Sequence, residues 1–228
     1  MQIDFQAREL TIKLVYYGPA LSGKTTNLRA IHELLQGGTT GRLMTLETRD
    51  DRTLFFDLLP LTFEAAGGLQ LRIKLFTVPG QVIHNATRRL VLQGADGVAF
   101  IADSQVAETR ANAAAFLNLK QNLADNGFDI TRMPIVIQFN KRDLPAVRSD
   151  AEIDELAKKG TEPVFKAVAT RGGGVLETFL GLMSLTWVKL EAEHHLREKF
   201  GLDQDVVISD IRRKLGLPPA SKPPEAHA

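Results

Sequence analysis

The chain contains no cysteine, one tryptophan and two tyrosines among its 228 residues. Without cysteine there is no disulfide, no thiolate metal site and no cysteine nucleophile, a composition that fits a reducing compartment. A surplus of one charge sign is missing as well. Lys and Arg total 28 against 27 Asp and Glu, for a net charge of +1. Nothing global therefore draws the chain to nucleic acid or to an anionic membrane. No apolar run approaches the roughly 20 residues of a membrane span. Met1-Gln2-Ile3-Asp4-Phe5 does not read as a signal peptide. Neither a glycine after Met1 nor a terminal cysteine motif is present to carry a lipid. The expectation is a cytoplasmic protein with no transmembrane segment, whose membrane contacts run through partners. His84, His194 and His195 have no metal-site context and read as surface residues.

What is present is the composition of a soluble globular chain, 44% hydrophobic and 24% charged. Its length suits one domain with an appendage. Strand-like stretches near 11–17, 42–48, 70–77, 97–102, 134–139 and 164–168 alternate with helical patterns near 24–36, 85–94, 107–126, 150–158 and 174–199. Val98–Ala102 and Ile135–Phe139 are almost wholly apolar, as strands buried on both faces are. Alternating β and α predicts an α/β sheet with helices on both sides, and ligands on such sheets sit at the carboxyl ends of the strands. Leu176, Phe179, Leu180, Met183, Trp187 and Leu190 form one helical stripe, expected to pack the core. A short helix is expected at about 204–215, capped by Asp205, with Val207, Ile211 and Leu215 on one face and Gly216-Leu217-Pro218-Pro219 as its stop. Its basic last turn, Arg212-Arg213-Lys214, complements the helix dipole or meets a partner. Residues 219–228 read as a disordered Pro/Ala-rich tail.

One stretch names a ligand. Gly18-Pro19-Ala20-Leu21-Ser22-Gly23-Lys24-Thr25 fits the phosphate-binding loop G-x-x-x-x-G-K-[ST]. Four specified positions recur by chance on the order of once in a hundred such chains, but here a β-prone run precedes the loop and a helical one follows it. Backbone N–H groups from Gly18 through Ala20, Leu21, Ser22 and Gly23 to Thr26 can wrap a β-phosphate at a helix N-terminus. Gly18 and Gly23 supply backbone angles that a Cβ would block. Lys24 would stand between the β- and γ-phosphates, and Thr25 would give its hydroxyl to Mg²⁺. The fold expected is a three-layer P-loop NTPase.

The base follows from Asn140-Lys141-Arg142-Asp143, at the end of the buried strand before it. Guanine presents N1–H and N2–H₂ side by side. Asp143 can accept both, and adenine offers no such pair. Asn140 can tie this turn to the phosphate loop, and the Lys141 stem can cover the base. A backbone N–H from Val168 or Ala169 would meet the guanine O6. Two further segments fall where a GTPase needs its moving parts. In Asp51–Asp57, the Thr53 hydroxyl would complete the Mg²⁺ shell. In Thr77-Val78-Pro79-Gly80-Gln81, the Gly80 N–H would reach the γ-phosphate and Gln81 would orient the attacking water. GTP or GDP with Mg²⁺ is the ligand these segments describe. The readings open at this point are a GTP-hydrolysing switch, a GTP-dependent scaffold that scarcely hydrolyses, and an ATP-dependent kinase on the same loop, which would require Asn140-Lys141-Arg142-Asp143 to be accidental.

Together with Tyr16-Tyr17-Gly18-Pro19, Gly23–Leu28, Ala102-Asp103-Ser104-Gln105 and Asn140–Pro145, these segments resemble the MglA-type bacterial small Ras-like GTPases over about residues 8–190. The most distinctive position is Thr77, where ordinary Ras-like proteins carry Asp. The resemblance implies a Ras-like, mostly parallel six-stranded sheet with one antiparallel edge strand and five helices. It implies that Arg52 is an arginine finger carried in cis, with Gln81 as its catalytic companion. It implies an activating partner of the Roadblock type, MglB-like, effectors that read the GTP state, and a part in bacterial cell polarity or gliding motility, including placement at a cell pole through partners. Thr77 leaves the Mg²⁺ second shell short of a carboxylate, for which Asp57 and Asp103 are the candidates. The chain runs on past the family pattern. The GTPase domain is expected over 1–200 and the extension over 201–228, which suggests a paralogue.

Overall fold

The computed structural model describes residues 1–35, 41–46, 56–65 and 68–218. The expectations for Arg52, Thr53 and the tail over 219–228 lie outside the described residues.

The strands are β1 (Gln2–Asp4), β2 (Glu9–Tyr17), β3 (Met44–Leu46), β4 (Phe56–Ala65), β5 (Leu69–Thr77), β6 (Gly97–Asp103), β7 (Ile135–Asn140) and β8 (Val164–Lys166). The helices are α1 (Lys24–Leu34), α2 (Asn85–Leu92), α3 (Thr109–Asp125), α4 (Asp150–Lys159), α5 (Val175–His194), α6 (Leu196–Phe200) and α7 (Gln204–Lys214). One sheet runs in the order β3-β4-β5-β2-β6-β7-β8, with β1 paired to β2. β5, β2, β6, β7 and β8 are mutually parallel, and β4 is antiparallel to β5. Six strands, β4 to β8 with β2, thus make the expected mostly parallel Ras-like sheet. The short β1 and β3 are additions to it, and β3 rather than β4 stands at the edge.

Alternation along the strands divides the core in two. Ile12, Leu14 and Tyr16 face one side with α1 and α5. Val15 and Tyr17 face the other with α2 and α3. Successive side chains of a strand point to opposite faces, so Tyr16 and Tyr17 anchor different layers, and both are fully buried. β6 is buried at every position, as its apolar run requires.

The sequence does not announce β4, which contains Pro60. The Pro60 carbonyl accepts the Gly41 N–H at 2.8 Å. Its C=O, and the nitrogen on the same side, therefore face away from β5, so proline's missing donor costs no bond to that strand. Because β4 runs against its neighbours, its first residues lie at the carboxyl edge of the parallel strands. That brings Asp57 to the site.

The long C-terminal helix ends sooner than its pattern suggests. His195 sits at φ 55, in the left-handed region, and α6 starts afresh beyond it. The bend returns the fully buried Leu196 to the core. α7 is capped by Asp203, not Asp205: the Asp203 carboxylate accepts the Asp205 and Val206 N–H groups at 3.0 and 3.4 Å. Val207, Ile211 and Leu215 are buried in the same cluster as Leu59, Leu61 and Phe63 of β4. Its basic turn is used locally. Arg213 pairs with Asp210, Arg212 donates to the Pro218 carbonyl, and Lys214 stands 5.6 Å from the Phe63 ring centroid.

Candidate functional site

The loop after β2, the end of β5 and the first residues of β4 converge on an open cleft of about 370 Å³, lined in part by Lys24, Thr25, Thr45, Asp57, Thr77 and Gly80. The loop from Gly18 to Thr25 forms one wall. Gly18 (φ 150) and Gly23 (φ 96) adopt angles that favour glycine. A Cβ on Gly18 would stand 2.2 Å from the Ile101 carbonyl oxygen, and one on Gly23 would stand 2.2 Å from Asn140 Nδ2. Between them Leu21 also takes a positive φ, with its side chain in solvent beside the exposed Ala20.

Lys24 opens α1 and is nearly buried. Its ammonium donates to the carbonyls of Pro19 at 2.6 Å and Gly18 at 3.1 Å. Burial, followed by repulsion from Arg88, lowers its pKa to about 8 against the pull of Asp57. Thr25 donates its hydroxyl to Asp57 Oδ2 at 2.5 Å, and Thr45 donates to Oδ1 at 2.9 Å. Thr77 also donates to Oδ2 at 2.9 Å. One carboxylate thus gathers three hydroxyls from α1, β3 and β5. Thr26 follows in the first turn of α1, half-buried.

Asn140 fulfils its expected tie: its Nδ2 donates to the Ser22 carbonyl at 2.9 Å, and its Oδ1 accepts the Ala169 N–H at 3.0 Å. The Val168 N–H is taken by the Gly173 carbonyl at 2.8 Å. Both amides expected to meet a base carbonyl therefore have acceptors within the chain. Lys141 sits at φ 64 and pairs with Asp103 Oδ2 at 2.6 Å. That commits Asp103 to the Lys141 end of the site, away from Thr25. Of the two carboxylates expected near Mg²⁺, only Asp57 reaches the threonines. The Asp143 carboxylate is 23% exposed and stands 3.9 Å from Arg171 Nη2. Gly80 packs against the phosphate loop so closely that a Cβ would lie 2.3 Å from Ala20 Cα. The Gln81 side chain is exposed beside it.

A buried amide chain braces the two halves. Gln138 Nε2 donates to Asn27 Oδ1 at 2.9 Å and to Thr178 Oγ1 at 2.8 Å, while Asn27 Nδ2 donates to the Gly23 carbonyl at 2.9 Å. The phosphate-loop helix, β7 and α5 are thereby locked together. A lone glutamine in an otherwise apolar strand is the sequence signal that points to this brace. Arg88 of α2, which donates to the carbonyls of Gly80 and Gln81, has no such signal.

Chemically the cleft offers a cation at Lys24, and a hydroxyl and a carboxylate side by side at Thr25 and Asp57, the groups that an anionic ligand and a divalent cation would need. No protein-family model matches the chain. It is 44% identical over 189 residues to the mutual gliding-motility protein MglA of Myxococcus xanthus (strain DK1622), an alignment covering 83% of this chain and 97% of that protein. On that identity and coverage, and with a mostly parallel α/β fold of the Ras-like kind, the chain belongs to the family of MglA-type small GTPases.

Proposed function

We propose that the chain is a molecular switch that binds GTP or GDP with Mg²⁺ and slowly hydrolyses GTP. The observation that carries this reading is the joining of two half-sites by Asn140. The side chain that ends β7, three residues before Asp143, bonds the Ser22 carbonyl of the phosphate loop. In this reading that bond holds a base subsite and a phosphate subsite at a fixed distance.

The residues fit the ligand. Among the described residues the Lys24 ammonium donates only to two carbonyls of its own loop, and a buried cation so placed gains a stronger partner in a phosphate oxygen. The backbone of Ala20, Leu21, Ser22, Gly23 and Thr26 offers N–H groups to the same phosphates. Thr25, with Thr53, would hold Mg²⁺, and Asp57 would replace the carboxylate that Thr77 does not supply. Bound there, Mg²⁺ would neutralise phosphate charge. Asp143 accepts the guanine N1–H and N2–H₂, Lys141 covers the ring, and the guanine O6 shares the Val168–Ala169 backbone. Gly80 donates its N–H to the γ-phosphate, Gln81 orients the water, and Arg52 offsets charge on the transferred group, an effect worth about 10³–10⁵ in rate where such an arginine is supplied.

The gliding-motility relative extends this reading to the cell. The switch acts on polarity or motility through effectors that read its GTP state, in the cytoplasm and at a cell pole through partners. An MglB-like Roadblock protein stimulates it. The GTPase unit is taken as residues 1–200, with 201–228 as its extension. GTP turnover measured with and without a Roadblock-type protein tests the assignment. Arg52→Ala and Gln81→Leu are expected to abolish stimulated turnover while leaving GDP affinity intact. Unchanged turnover in both variants overturns the catalytic assignment. Tight GTP binding with no detectable hydrolysis favours the scaffold reading instead.

A further inference from the structure

Arg88 belongs to none of the motifs, yet it is 3% exposed. Nη2 donates to the Gly80 carbonyl at 3.3 Å and to the Gln81 carbonyl, and Nη1 donates to Asn118 Oδ1 of α3 at 2.6 Å. The guanidinium lies 5.9 Å from the Tyr17 ring centroid. Asn118 Oδ1 also accepts the Tyr17 hydroxyl at 2.6 Å. Among the described residues no carboxylate pairs with Arg88, and its buried Nε has no hydrogen-bond partner. A cation taken out of water and met only by neutral groups is costly unless a counter-charge arrives. Its repulsion helps to lower the pKa of Lys24, a buried cation that lines the cleft.

The geometry also gives the guanidinium a task. In a trans peptide the C=O of one residue and the N–H of the next are fixed in one plane. Holding the Gly80 carbonyl fixes the peptide that enters Gln81, and holding the Gln81 carbonyl fixes the peptide that leaves it. Both planes around Gln81 are therefore set by one side chain, at φ −75 and ψ 141. Gly80 itself lies close against Ala20 of the phosphate loop.

We propose that Arg88 is the positioning residue of the Gly80–Gln81 turn, and that its buried charge is balanced by the polyphosphate in the cleft. The proposal rests on the GTPase reading. It assigns Arg88 no contact with the reacting atoms. The guanidinium orients the backbone that carries Gln81, and the anion offsets its charge through space.

The test pairs Arg88→Lys with Asn118→Asp in the full chain. Lysine keeps the charge but cannot hold two carbonyls and an amide in one planar fork. Arg88→Lys is expected to lower single-turnover GTP hydrolysis by about 10²-fold, the scale set by a misplaced group, while fluorescent GDP affinity stays within about threefold. Asn118→Asp gives Arg88 a carboxylate of its own. GDP affinity is then expected to fall by about tenfold, since the phosphates no longer supply the missing charge, and hydrolysis of bound GTP is expected to persist. Turnover and affinity that fall together in Arg88→Lys, in step with its melting temperature, overturn the positioning role. Unchanged affinity in Asn118→Asp overturns the charge balance. A wild-type chain that binds no guanine nucleotide overturns the functional reading and this proposal together. A wild-type chain that hydrolyses GTP alongside an Arg88→Lys variant that does so equally well overturns the proposal alone.

Discussion

Thr77 donates its hydroxyl to Asp57 Oδ2 and accepts the Asp57 backbone N–H, both at 2.9 Å. The two residues are 3% and 6% exposed, so the exchange takes place out of water, on adjacent antiparallel strands. In the reading proposed above, Asp57 at the start of the preceding strand β4 replaces the carboxylate expected at the end of β5, and Thr77 holds it there. Replacing Thr77 with Asp would set two carboxylates about 3 Å apart and force one to keep its proton. Thr77→Asp alone is expected to destabilise the chain by about 1–3 kcal/mol and to raise the Mg²⁺ concentration needed for GTP binding. The double change Asp57→Thr with Thr77→Asp is expected to recover most of both losses. Denaturant unfolding and Mg²⁺ titrations of nucleotide release measure this. A double variant no better than Thr77→Asp would sink the idea that the carboxylate has moved.

Removing Ile211 probes how firmly the extension belongs to the core. Its side chain is fully buried with Phe63 and Leu202. Ile211→Ala is expected to cost about 2–5 kcal/mol of global stability, the range for truncating a buried aliphatic side chain. Asp203→Ala, which removes the α7 cap, is expected to cost about 1 kcal/mol. Both are read from chemical denaturation. An Ile211→Ala variant as stable as wild type would mean that α7 is not docked in solution.

How much of this was legible in the chain depends on the reach of each signal. Gly18 to Thr25 and Asn140 to Asp143 could be read because their chemistry is packed into a few consecutive residues. β4 was missed although Leu59, Leu61 and Phe63 alternate as a half-buried strand should. Pro60 argues against a strand, since it has no N–H for the ladder, and only the Gly41 contact shows how the proline is accommodated. The pattern of α5 was read correctly as a core stripe, but its end was not, because the bend at His195 is imposed by the burial of Leu196. Asp57 and Asp103 could not be ranked from sequence, since what separates them is which cation or hydroxyl each meets across strands. Arg88 left no trace at all. An arginine on a short helix gains its meaning only when the fold brings two carbonyls to it.

Alkaline titration offers a test of the two-layered core that needs no mutation. The chain has only two tyrosines, Tyr16 and Tyr17, and both are fully buried. Burial raises the pKa of each above the usual value near 10. For Tyr17 the nearby Arg88 charge and the bond from Asn122 oppose that rise. A phenol whose folded pKa is raised favours the fold while neutral. Its contribution is present below the unfolded pKa and is lost as pH climbs through the folded one. Native protein is therefore expected to show no phenolate absorbance near pH 10. The signal should instead appear cooperatively, at higher pH, together with loss of circular dichroism. A gradual rise with a midpoint near 10 in folded protein would show at least one of the two hydroxyls open to water.

The base subsite can be tested by changing the ligand and the residue together. Asp143 is the acceptor proposed for the guanine N1–H and N2–H₂. Its carboxylate is free of any closer partner than Arg171 at 3.9 Å among the described residues. Asp143→Asn turns one acceptor into a donor and leaves the other. Guanine then meets donor against donor at its 2-amino group, while xanthine, with a carbonyl at that position, meets a donor it can use. A site built to hydrogen-bond a polar edge discriminates strongly when a buried partner is left unpaired. Asp143→Asn is expected to weaken GDP binding by about 10²-fold or more and to gain affinity for xanthosine diphosphate. ATP should compete poorly with GDP in either protein. Equilibrium competition against a fluorescent nucleotide reports all three. If Asp143→Asn binds GDP as wild type does, Asp143 does not read the base, and the guanine assignment would have to rest on some other group in the cleft.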